Sequence, residues 1–151
     1  MSAYERPPRI FIGTFHCTLD EKGRFTLPAK FRRLFPDEEV KSLIVSKSKE
    51  KCLRLIDLER FDRIIEKLDA MEDGPEKRNL IRFYSTESEQ VKVDGTGRIG
   101  IPSEYLATIT VEKDVVVVGA LTHMEVWKPE DYDTVRQNAI DTYRKSSRWE
   151  L

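Results

Sequence analysis

Histidine and cysteine are scarce in this sequence, with 2 of each among 151 residues. Cys17 and Cys52 form no C-x-x-C pair and have no histidine at metal-ligand spacing, so buried reduced thiols are expected rather than a redox motif. His16 and His123 are too dispersed to argue for zinc, and no metal is expected. Long apolar runs are absent too. The longest, Val115 to Leu121, falls far short of the roughly 20 residues that a spanning helix needs. The opening MSAYERPPRIF holds no apolar block suited to secretion, so a cytoplasmic location is expected, with no membrane partner. Catalytic signatures are missing as well: G-x-S-x-G, H-E-x-x-H and a phosphate loop do not occur, and no histidine is paired with a plausible nucleophile. The chain is expected not to be an enzyme, to carry no cofactor and to take no small-molecule ligand.

What is present is an ordinary globular composition, 39% hydrophobic and 35% charged, in a length that suits one domain or two small halves. The net charge is only −1, but its distribution is uneven. Residues 1–54 hold 12 Lys and Arg against 7 Asp and Glu, whereas residues 55–151 hold 14 against 20. A nucleic-acid backbone senses a local patch rather than a total, so a basic first third remains compatible with DNA. A solvated basic surface explains the same numbers.

Self-comparison is more informative. LDEKGRFTLPAKF, from Leu19 to Phe31, aligns with VDGTGRIGIPSEY, from Val93 to Tyr105, at a constant offset of 74 residues. Asp20 meets Asp94, Gly23 meets Gly97, Arg24 meets Arg98 and Pro28 meets Pro102. Apolar classes agree at Leu19 and Val93, Phe25 and Ile99, Leu27 and Ile101, Phe31 and Tyr105. Downstream, LIVSKSKEKCLRLIDLERF parallels VVVVGALTHMEVWKPEDY. The expectation is a tandem duplication with halves at residues 1–75 and 76–151.

Each half reads the same way. Alternating apolar residues, Phe15-Cys17-Leu19 and Val91-Val93, predict a half-buried strand entering the Asp-x-x-Gly-Arg turn. A short strand follows, through Phe25 and Leu27 or through Ile99 and Ile101, and Pro28 or Pro102 then opens a short helix at its first turn. Two more strands come next, near Leu43 to Val45 with Leu53 to Ile56, and Val115 to Gly119 with Met124 to Trp127. A helix closes each half. The first carries the stripe Leu58, Phe61, Ile64, Ile65, Leu68 and Met71 and ends at Asp73 to Pro75; the second starts at Pro129 and carries Tyr132, Val135, Ala139 and Tyr143. Both stripes read as core-facing. Glu76 to Tyr84 forms one further short helix between the halves.

Gly95, Gly97 and Gly100 spell G-x-G-x-x-G, the spacing of a dinucleotide-binding turn. The context argues against it. Such a turn aims a long helix at a pyrophosphate, but Pro102 and the strand-like Arg98 to Ile101 leave no room for one. In the first half only Gly23 survives of the three glycines. The recurring unit is Asp-x-x-Gly-Arg: an aspartate that can accept backbone N–H groups, a glycine able to take positive φ, and an arginine at the start of the next strand. That arginine can address phosphate or guanine in bidentate fashion. Equally, Arg24 and Arg98 can pair with Asp20 and Asp94 and simply hold the turn.

With LDEKGRFTLPAKFR, VDGTGRIGIP, VVVVGALTHMEVW and KPEDYD in order over nearly its whole length, the sequence closely resembles the MraZ family of bacterial transcriptional regulators, whose two-copy repeat is related to AbrB and the MazE antitoxins. The resemblance implies a mainly β fold with α helices: a duplicated double-split, swapped-hairpin β-barrel, capped by helices, in which the two halves form one barrel domain. It also implies a homo-oligomeric ring, nucleoid association, and sequence-specific binding of double-stranded DNA at promoter direct repeats. Repression of the operon holding division and cell-wall genes is the implied outcome. By position, Arg24 is the DNA-contacting arginine, supported by Lys22 and by the geometry that Asp20, Gly23 and Pro28 impose. Arg98, with Asp94, Gly97 and Pro102, is its counterpart. Lys30, Arg32 and Arg33 add phosphate contacts in the first half. Thr96 replaces Lys22, and the basic AKFRR becomes SEYLA, so the first copy is expected to dominate affinity and Arg98 to be mainly structural. An antitoxin-like module that holds another protein is the alternative; it calls for a long C-terminal wrapping tail, whereas YRKSSRWEL is short.

Overall fold

The computed structural model describes residues 9–36 and 40–148, so most of the opening segment and the last three residues of the tail lie outside the described residues. The described chain is mainly β with α helices. In order it forms β1 (Thr14–Thr18), β2 (Arg24–Thr26), α1 (Ala29–Arg32), β3 (Ser42–Lys47), β4 (Cys52–Ile56), α2 (Leu58–Ala70), α3 (Pro75–Thr86), β5 (Ser88–Lys92), β6 (Arg98–Gly100), α4 (Ser103–Thr108), β7 (Asp114–Gly119), β8 (Met124–Trp127) and α5 (Pro129–Lys145). Six strands make an antiparallel sheet in the order β1-β7-β8-β4-β3-β5, and β2 and β6 make a separate two-stranded ribbon.

The pairing joins distant segments. β1 lies against β7, β5 against β3, β4 against β8 and β2 against β6; only the hairpins β3–β4 and β7–β8 pair neighbours in sequence. Each strand that enters an Asp-x-x-Gly-Arg turn is therefore hydrogen-bonded to a hairpin from the other end of the chain. Alternation sets the faces. Leu43 and Val45, Leu53 and Leu55, Val115 and Val117, and Met124 and Val126 point into one cluster, which Phe25, Leu27, Ile99 and Ile101 of the ribbon complete from the other side. The ribbon thus forms the second layer of the core, with Phe25 and Ile99 directly opposite each other and 2% and 0% exposed.

On the far face, Cys52, Val116, Val118 and Trp127 form a smaller cluster under Tyr132 and Val135 of α5. Coverage on both faces is why β7 reads VVVV instead of alternating. Burial pushes the Cys52 thiol up to about 12, so it stays protonated at neutral pH. Both described cysteines are free thiols, Cys17 half-buried and Cys52 buried.

The helices differ from the sequence reading in two ways. Pro28 and Pro102 stand one residue earlier than expected, as extended N-caps with ψ 135° and 138°, while Pro75 and Pro129 take the first helical turn. The apolar stripes are also less buried than a core face would be: α2, α3 and α5 contain no fully buried residue, and Ile65, Ile81 and Tyr143 are exposed. Between α2, α3 and the β3–β5 edge, Ile44, Phe61, Ile65, Leu68, Ile81 and Tyr84 line an apolar cleft of about 380 Å³.

Candidate functional site

The two Asp-x-x-Gly-Arg turns are built alike. Asp20 Oδ1 accepts the Lys22 and Arg24 backbone N–H groups, both at 2.9 Å, and Oδ2 accepts Arg24 Nε–H at 2.8 Å. Asp94 Oδ1 accepts the Thr96 and Arg98 N–H groups at 2.9 Å, and Oδ2 accepts Arg98 Nε–H at 3.0 Å. Thr96 adds its hydroxyl, donating to Asp94 Oδ1 at 2.7 Å. The glycine N–H closes each turn on the aspartate carbonyl, at 3.0 Å for Gly23 and 2.9 Å for Gly97. Their φ of +74° and +83° belongs to the left-handed region that a side chain disfavours. Gly95 has no such constraint, and Gly100 lies in β6, so Gly97 alone of the G-x-G-x-x-G glycines is required by the turn's φ. A strand follows it instead of a phosphate-facing helix.

Each turn is also held by the opposite strand. Leu27 N–H donates to the Gly97 carbonyl at 2.8 Å, and Ile101 N–H to the Gly23 carbonyl at 3.1 Å. With Phe25 and Ile99 pointing inward, period-two alternation puts Arg24, Thr26, Arg98 and Gly100 on the outer face. Arg24 faces Gly100 and Arg98 faces Thr26, which makes the arginines diagonal neighbours across the ribbon, within reach of each other's long side chains. Both alternatives left open by the sequence are compatible with this geometry: Nε holds the aspartate, and Nη1 and Nη2 of both residues have no partner among the described residues. Side-chain exposures of 32% and 41% leave both guanidinium groups reachable.

The Arg24 N–H bond, foremost, holds the Asp20 carboxyl below the ordinary aspartate range; the Arg98 N–H and the Thr96 hydroxyl do the same to Asp94. A depressed folded value means that the carboxylates stabilise the turns fully above the unfolded aspartate value of about 3.9, and that this is lost as pH falls toward the folded values. Carboxyl-detected NMR titration should therefore find Asp20 and Asp94 titrating below the ordinary aspartate range. Ordinary values at both positions would contradict the hydrogen bonding described.

The remaining candidate residues scatter around the ribbon. Lys22 is exposed at the first turn, and Lys30 and Arg33 are exposed on and just after α1. Lys30 Nζ lies over Gly13, 3.5 Å from where a Cβ would stand. Arg32 is different: it is half-buried and donates from Nη1 to the Thr96 carbonyl of the second turn at 3.3 Å. Sequence spacing carries no sign of that contact, because it spans 64 residues. Among the described residues no three His, Cys, Asp or Glu side chains gather into a metal-binding group, and no helix is long and apolar enough to cross a membrane.

Fold and site together define a strand-exchanged β protein with two arginine turns on one shared ribbon. The family described as "MraZ protein, putative antitoxin-like" matches the chain twice, over residues 10–83 and 85–148. A protein of Thermobifida fusca named "Transcriptional regulator MraZ" is 35% identical over 139 residues, covering 87% of this chain and 92% of its own. Proteins of the same name from Corynebacterium kroppenstedtii and Cytophaga hutchinsonii are 32% and 31% identical, covering 89% and 82% of this chain and 92% and 82% of their own. The chain belongs to the MraZ family.

Proposed function

We propose that this chain is a DNA-binding transcriptional regulator that reads double-stranded DNA with the outer face of the β2–β6 ribbon. The observation that carries the reading is the pair of partner-free guanidinium ends, Arg24 and Arg98, side by side on a two-stranded ribbon whose other face is core. Such a ribbon fits the major groove, and a guanidinium held by its Nε still offers both Nη groups to guanine O6 and N7 or to a phosphate. The relatives' shared name supports regulation of transcription.

In the same reading the two halves, residues 1–75 and 76–151, are AbrB-like copies that complete one swapped-hairpin barrel. The crossed strand pairing supports this. The protein represses the operon of division and cell-wall genes from promoter direct repeats, sits on the nucleoid in the cytoplasm, and assembles as a homo-oligomeric ring. Exposed Ile65, Ile81 and Tyr143 offer apolar surface for assembly. Linked sites on a ring raise avidity by roughly 10² to 10⁴ when repeats match their spacing, which suits a chain of near-neutral charge.

A footprint on the DNA upstream of its own gene, with the subunit count from native mass, tests the reading. Protection of direct repeats is expected, with affinity falling steeply as salt rises because neutralised phosphates release counterions. No protected repeat at low salt would sink it. The apolar cleft beside α2 favours a second reading, an antitoxin-like module that grips another protein there; no protected repeat, together with a bound protein that α2–α3 substitutions release, would point that way.

A further inference from the structure

Arg32 leaves a helix of the first half and ends on the turn of the second. Besides donating from Nη1 to the Thr96 carbonyl, it lies flat across Gly97: a Cβ on that glycine would stand 2.8 Å from Arg32 Cδ and 3.1 Å from Cζ. Its Nε is buried without a partner, so this packing sacrifices one hydrogen bond. Nη2 keeps no partner among the described residues, and the residue as a whole is half-buried.

The 74-residue offset pairs Arg32 with Leu106. Leu106 covers the first turn in the same way, with Cδ1 3.4 Å from where a Gly23 Cβ would stand. Each turn is therefore roofed by the short helix of the opposite half, the first by an apolar side chain and the second by a cation. The first turn already carries a cation just before its glycine, Lys22, where the second turn has Thr96. We infer that Arg32 is the positioning residue of the Arg98 turn and also supplies the basic side chain that this turn lacks. Each end of the ribbon then holds two cations, Lys22 with Arg24 and Arg32 with Arg98. The difference in charge between the two turns is thereby reduced in space. Arg32 ceases to be a phosphate contact of the first half.

The DNA half of this inference rests on the proposed function; the positioning half does not. The positioning half is tested by amide hydrogen exchange of the full chain. Arg32→Leu, which copies the Leu106 arrangement and keeps the apolar roof, should speed exchange at Gly97 and Arg98 and leave Gly23 and Arg24 unchanged. The DNA half is tested by anisotropy with a labelled duplex from upstream of the chain's own gene. Arg32→Leu should weaken binding about tenfold, the loss of one charged contact. It should add nothing beyond about twofold to Arg98→Ala, yet combine multiplicatively with Lys22→Ala. Arg32→Lys should recover part of the affinity but not the turn's protection, because Lys lacks the planar fork. Full additivity with Arg98→Ala, with unchanged exchange at Gly97, overturns the inference. If the unaltered protein binds no duplex, the proposed function fails, and the exchange result alone decides whether Arg32 positions the turn.

Discussion

Arg24→Ala is expected to abolish specific promoter binding while leaving fold and oligomeric size unchanged. The turn does not depend on the guanidinium. Asp20 keeps its bonds to the Lys22 and Arg24 backbone N–H groups, Gly23 keeps its bond to the Asp20 carbonyl, and Phe25 next door remains in the core. What disappears is an exposed ion pair, which contributes little to stability. Binding loses far more. A bidentate contact to a base discriminates by about 1–3 kcal/mol, and in the proposed ring that loss would recur at every engaged repeat. Arg24→Lys should fail too, since the two N–H groups that an ammonium keeps after holding Asp20 diverge tetrahedrally and do not form the planar fork that meets guanine O6 and N7. Anisotropy on the promoter duplex, thermal unfolding and native mass together check this result. Promoter affinity retained by a folded Arg24→Ala protein would remove Arg24 from the site.

Much of the local structure was legible in the sequence, and the reasons are physical. The Asp-x-x-Gly-Arg unit showed itself by recurring, and its residue types prescribed the observed turn: a carboxylate for the backbone N–H groups and a glycine for φ of +74° and +83°. Strand faces followed from alternation at Phe25 and Ile99. Partners did not, because alternation tells a strand which side is apolar and nothing about which neighbour it joins. No pattern in TFHCT announces that β1 pairs with β7 rather than with its own hairpin. The half-exposed helices were hidden for a related reason. A stripe such as Phe61, Ile65 and Leu68 marks an apolar face, but the amount of sheet available to cover it depends on tertiary packing. Arg32 was the hardest to read. In sequence it belongs to AKFRR, a basic run of the first half, and only the crossed topology carries it to Thr96 and Gly97.

The crossed topology also has a weak point, and it predicts the largest stability loss. Gly119→Ala is expected to destabilise the fold by about 3 kcal/mol or more, the upper range for overpacking a well-packed site. A Cβ at Gly119 would stand 2.5 Å from the Phe11 carbonyl oxygen and 2.6 Å from the Ile12 nitrogen, both of them backbone atoms. Neither can swing aside as a side chain could. Phe11 is fully buried, exchanges two backbone bonds with Leu121 at 2.8 and 3.0 Å, and sets its ring edge-on to Phe31 at 5.7 Å. The Gly119 N–H is itself bonded to the Gly13 carbonyl at 2.8 Å, so the clash lies on the seam where the start of the chain joins β7. Relieving it means withdrawing Phe11 and disturbing Phe31, which belongs to the helix that also carries Lys30 and Arg32. Gly97→Ala, by contrast, meets a side chain that can move, and its cost is dominated by the roughly 1–2 kcal/mol of left-handed backbone. Urea unfolding should therefore rank Gly119→Ala as the more damaging of the two. The damaged protein should also lose DNA affinity under conditions where it is still folded, since the displaced helix roofs the Arg98 turn. A loss below about 1 kcal/mol at Gly119 would mean that the seam is looser than described.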